Sequence, residues 1–111
     1  MNTENTLTEK QINDWKKEYG KVFKTIIGED VIIWRKLRRN EYVSVMLDDA
    51  NDKDTDVKEK VFLRQNQITK IATLYPNNIE ELIDESGALA TCMSDQIMLK
   101  SGFEIISTVE M

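Results

Sequence analysis

Ile12, Trp15 and Tyr19 recur at the spacing of one helix face, with Lys10, Asn13, Asp14 and Lys17 on the polar side, so an amphipathic helix is expected over 9–19. Thr8 stands at its N-cap with Gln11 three residues on, the pattern of a capping box, and Leu7 is placed to staple against Ile12. Gly20 is the expected stop. The period then shortens from three-to-four residues to two. Val22-Phe23-Lys24-Thr25-Ile26-Ile27 and Val31-Ile32-Ile33-Trp34-Arg35 are rich in β-branched and aromatic residues and are separated by Gly28-Glu29-Asp30. This predicts a β-hairpin with glycine at the first position of a type II′ turn. Phe23 and Trp34 are expected on its inner face, with Arg35 and Arg38 or Arg39 turned to solvent.

Helical spacing returns at Tyr42, Val45 and Met46, predicting a helix over 39–48. The run Asp48-Asp49-Ala50-Asn51-Asp52-Lys53-Asp54 reads as a solvated loop. A longer helix over 56–74 follows, capped by Asp54 or Thr55, with Val57, Val61, Ile68, Ile71 and Tyr75 as its apolar stripe, and Pro76 ends it. Asn78 is placed to cap a short helix carrying Ile79, Leu82 and Ile83 as far as Gly87. The last helix covers 88–100 with Leu89, Cys92, Met93 and Ile97 inward, and Phe103 to Met111 is apolar enough to dock as an arm. The expected class is therefore α+β: an N-terminal helix, one hairpin, then three to four helices. With 111 residues and no linker or repeat, residues 1–111 form a single domain with one core, and residues 1–6 are expected to be flexible.

Composition narrows the function classes. The net charge of -5 repels phosphate backbones and anionic lipid, so neither nucleic acid nor membrane is expected as a partner. No apolar run is long enough to span a bilayer and the start Met1-Asn2-Thr3-Glu4 lacks the features of a signal peptide, which points to the cytoplasm. Cys92 is the only cysteine, and a small buried apolar role is expected for it.

Histidine is absent, which removes Ser-His and Cys-His nucleophilic mechanisms, and the acids fall on expected exposed faces and loops. No enzyme activity, cofactor or metal is therefore expected. Asp52, Asp54 and Asp56 alternate like the opening ligands of an EF-hand, but the required glycine falls on Val57 and the closing glutamate on Leu63. The basic cluster Trp34-Arg35-Lys36-Leu37-Arg38-Arg39 places a tryptophan beside four cations that could stack bases or bind phosphates. So short a site within a net acidic field argues against nucleic acid and leaves two readings of equal weight, with Trp34 in the core in the first. Its cations balance the acidic loop, or they meet an acidic protein partner. Arg35, Lys36, Arg38 and Arg39 are accordingly candidate partner-binding residues. Met98 and Phe103, near the C-terminal end, join them as candidate soft apolar contacts.

Three stretches, Trp15 to Val22, Ile33 to Tyr42, and Ser94 to Phe103 ending in Ser101-Gly102-Phe103, together resemble small proteins of tailed bacteriophages described as tail assembly chaperones or baseplate assembly factors. The resemblance implies a non-enzymatic helper that binds tail or baseplate proteins during virion assembly in the infected cell. A second reading comes from the charge: an acidic regulatory or anti-defence inhibitor that occupies a channel on a host protein. The two differ in one feature of the surface. A continuous carboxylate face formed by 48–56 and 80–85 favours the inhibitor, and scattered carboxylates favour the assembly role.

Overall fold

The computed structural model describes residues 7–103 and 108–111, without the side chain of Phe103. The expectations for residues 1–6, for the Phe103 side chain and for the arm at 104–107 fall outside the described residues. The chain is α+β: helix α1 (Glu9–Tyr19), strands β1 (Phe23–Ile27) and β2 (Asp30–Trp34), helices α2 (Arg39–Asn51) and α3 (Val57–Ala72), strand β3 (Thr73–Tyr75), then α4 (Ile79–Glu85) and α5 (Leu89–Met98). A wide helical turn, Leu99–Phe103, ends the last helix, with Gly102 at φ 124°.

Local chemistry accounts for the first half. The Thr8 hydroxyl accepts from the Gln11 N–H at 3.2 Å while Gln11 Oε1 accepts from the Thr8 N–H at 3.1 Å, closing the capping box. Gly20 ends α1 at φ 81°, a conformation that costs a side-chain-bearing residue far more. In the hairpin Ile27 pairs with Asp30, leaving Gly28-Glu29 as a two-residue turn. Gly28 has φ 60° and no described non-glycine residue has positive φ, which makes the turn type II′.

The hairpin is not alone. β3 pairs antiparallel with β2 through Ile33↔Tyr75 and Trp34↔Thr73 with a bulge at Ile33/Trp34, giving a sheet of order β1-β2-β3. The helix expected to reach residue 74 therefore stops at Ala72. Thr73, Leu74 and Tyr75 precede a proline that disfavours helical backbone at Tyr75, and the open side of β2 supplies their hydrogen bonds. The Arg35 N–H extends this join to the Ala72 carbonyl at 3.0 Å.

The core lies between the inner face of the sheet and helices α2, α3 and α5. Ile32, Trp34, Val45, Ile68, Met93 and Ile97 are at its centre. Trp34 is 3% exposed and stacks on Phe23 at 4.6 Å, as alternation along the strand required. Its Nε1 donates to Thr25 Oγ1 at 2.9 Å, and that hydroxyl donates to Gln96 Oε1 at 2.8 Å, so the buried indole N–H is satisfied.

Several helix expectations change. α2 runs to Asn51, taking in Asp48 and Asp49, and only Asp52 to Asp56 remain as loop. Asp56, rather than Asp54 or Thr55, caps α3, accepting from the Lys58 N–H at 3.4 Å. Asn78 stands at the N-cap of α4 but makes no side-chain cap bond. Along α3 the expected stripe fails at its start: Val57 is 74% exposed, and Val61 and Phe62 are exposed as well. Val57 and Val61 share a face with Ile68, and Phe62 with Thr69, but α5 begins beside Gln65, with Thr91 Oγ1 donating to Gln65 Oε1 at 2.7 Å. The first two turns of α3 overhang the helix that would cover them. Cys92 is exposed, not inward, because the buried stripe of α5 is Leu89, Ala90, Met93, Ser94 and Ile97.

Candidate protein-binding face

Residues 35–38 run extended between β2 and α2, and their alternation sorts the basic cluster. Leu37 enters the core while Lys36, Arg38 and Arg39 are exposed. Arg35 departs from its expected solvent position and is 8% exposed. The strand face it shares with Ile33 is covered at this point by Tyr19 from α1, whose ring lies 4.8 Å from the Arg35 guanidinium carbon. Arg35 Nη2 donates to Glu41 Oε2 at 2.8 Å and Nη1 donates to Glu41 Oε1. The guanidinium is thus committed inside the protein and does not present itself to a partner.

The same pair sets the local electrostatics. The hydrogen bond from Arg35 lowers the Glu41 pKa; burial acts against it, and the Arg38 N–H, donating to Oε1 at 2.9 Å, adds to the lowering. Glu41 in turn raises the Arg35 pKa against the desolvation that would lower it. Arg38 also approaches Tyr19, 4.9 Å from the ring centroid, and Arg39 approaches Tyr42 at 5.9 Å. The extended segment is also tied to the C-terminal turn. Ser101 Oγ accepts from the Leu37 N–H at 2.9 Å and donates to the Ile97 carbonyl.

Two open recesses flank this segment. One, of about 370 Å³, is lined by Tyr19, Gly20, Lys21, Phe23, Lys36 and Lys100. The other, of about 360 Å³, is lined by Leu37, Arg38, Arg39, Tyr42, Ser101 and Gly102. Five cations and three aromatic rings line them, and no carboxylate among the described residues does. Such a face attracts acidic groups and offers apolar ring surface beside the charge.

Of the candidates named from sequence, Lys36, Arg38 and Arg39 are brought together here. Met98 is half-buried against the core and Arg35 is withdrawn beneath Tyr19. Tyr19, Lys21, Tyr42 and Lys100 belong to the face without having been singled out. Tyr19 read as part of an apolar stripe, and separations of 15 to 80 residues carry no periodic signal.

The acidic groups lie elsewhere and apart. Asp48, Asp49 and Asp52 surround a hollow against α3, where Gln67 Nε2 donates to Asp48 at 3.0 Å and Arg64 lies 3.5 Å from Asp49. Glu80 on α4 meets Lys70, in the last turn of α3, at 3.6 Å. α3 thus sets Lys60 and Arg64 among the first group and Lys70 beside the second. Asp52 and Glu41 are both held below the ordinary carboxylate value, Asp52 mainly by hydrogen bonds from Thr55, which favours permanent charge over proton transfer.

No protein-family profile, curated protein or solved structure matches this chain.

Proposed function

We propose that this protein is a non-enzymatic binding factor that holds other proteins through its basic, aromatic face, and that it serves tail or baseplate assembly in a tailed bacteriophage. The observation that carries this reading is the convergence of three distant stretches. Tyr19, Gly20 and Lys21, then Lys36 to Arg39 with Tyr42, then Lys100 to Gly102 supply eleven of the twelve described residues that line the two recesses. These are the stretches on which the resemblance to phage assembly proteins rests. Its partners are then tail or baseplate proteins met in the cytoplasm of the infected cell.

The inhibitor reading is less well supported by the surface. Its carboxylates do not stand alone on the surface: Asp48, Asp49 and Asp52 share their hollow with Lys60, Arg64 and Gln67 of α3, and Glu80 on α4 meets Lys70. A mimic of nucleic acid needs one continuous acidic face.

Co-expression with the tail and baseplate proteins of one phage, followed by affinity capture, tests the proposal. The parent chain is expected to retain at least one tail component, and Lys36→Glu with Arg39→Glu to lose it while remaining folded. Capture of none, or equal capture by the charge-reversed chain, counts against the reading.

A further inference from the structure

β1 forms one edge of the sheet, and its register fixes which backbone groups lie on the outer side. Ile27 and Asp30 flank a two-residue turn, and residues in that position exchange both backbone hydrogen bonds. Alternation makes Thr25–Ile32 and Phe23–Trp34 the next bonded pairs, so the N–H and C=O of Lys24 and Ile26 point away from β2. Those four groups form no hydrogen bond to any described residue. The usual protections of a sheet edge are sparse here. No proline or bulge interrupts β1, Lys24 is its one charge, and Ile26 beside it is 61% exposed.

We propose that a second copy of this chain pairs its own β1 antiparallel to this edge, with Thr25 opposite Thr25, joining two three-stranded sheets into one of six strands. The occupant is a second copy because the edge is complementary to itself in this register. Lys24 faces Ile26 of the second copy, and each such pair exchanges two backbone hydrogen bonds, satisfying all four outward groups on both chains. Phe23 faces Ile27 and Thr25 faces Thr25, which are favourable cross-strand pairs, and no two lysines oppose one another. Past the strand ends, Lys21 of each chain lies toward the Gly28-Glu29 turn of the other, so a cation and a carboxylate approach at both ends of the ribbon. Both residues are exposed. The pairing goes beyond the partner-binding reading and does not depend on it.

Sedimentation equilibrium of the full chain alone, in low salt and from micromolar to millimolar concentration, tests the pairing. A monomer–dimer equilibrium is expected, because a two-fold contact closes on itself. Ile26→Lys sets lysines against each other twice and is expected to weaken the dimer about tenfold or more, with unchanged circular dichroism. Lys21→Glu is expected to weaken it as well, and Lys21→Glu combined with Glu29→Lys to restore it. A monomer at every concentration overturns the proposal, as does an Ile26→Lys chain that dimerises like the parent. Failure of the charge exchange to restore association overturns the register.

Discussion

Arg35 and Glu41 join the end of β2 to the first turn of α2 by two side-chain hydrogen bonds, with Tyr19 closing over the guanidinium from α1. One ion pair thereby fixes three elements around the extended segment that carries Lys36 and Arg38. Arg35→Ala removes the buried guanidinium from beneath Tyr19 and leaves the half-buried Glu41 carboxylate with the Arg38 N–H alone, so it is expected to destabilise the fold by about 2–4 kcal/mol. Arg39→Ser, at an exposed position, should stay within about 0.5 kcal/mol. Urea melts of the two variants check this contrast.

The pair also gives stability an acid limb. The pKa of Glu41 is lower in the folded chain than its ordinary value of 4.5. A group depressed by folding contributes fully above its unfolded pKa, and the contribution is lost as pH falls through the folded value. The gap in unfolding free energy between the parent and Glu41→Gln should therefore be constant near neutrality and shrink as pH drops below about 4.5. A gap that persists at lower pH contradicts this assignment, and urea melts across an acid series measure it.

Trp34 joins the two strands through its stacking on Phe23 and its bond to Thr25, and it enters the core with Val45, Ile68, Met93 and Ile97 of the helices. Trp34→Ala is expected to cost about 3–5 kcal/mol, leaving the chain largely unfolded or poorly soluble. Thr25→Val keeps the shape but orphans the buried indole N–H, and should cost about 1–3 kcal/mol. Thermal melts followed by circular dichroism, with tryptophan fluorescence for Thr25→Val, rank the two.

Ile68 and Phe62 lie on neighbouring faces of α3 but on opposite sides of the point where α5 begins to cover it. Ile68→Ala should cost about 2–4 kcal/mol, since Ile68 is 3% exposed and packs in the core. Phe62→Ser, at a position 61% exposed, should stay within about 0.5 kcal/mol. Equal losses in urea melts would mean that the start of α3 is covered in solution.

Features written in short-range chemistry were determined by the sequence itself. α1 and its capping box depend on residues three or four apart, and the type II′ turn on one glycine. The inward position of Trp34 depends on alternation along a single strand. Only the tertiary structure decided which of these faces would find a cover. Arg35 sits on the strand face opposite Trp34, and it is buried because α1 happens to return over it with Tyr19, an event no local pattern reports. β3 exists because β2 had an open side when the chain left α3, and Cys92 is exposed because the buried stripe of α5 passes through Ala90 and Ser94. The basic face is likewise a product of long-range packing. Periodicity tells a side chain which way it points along its own element, while burial, charge pairing and the assembly of a site depend on what the rest of the chain places there.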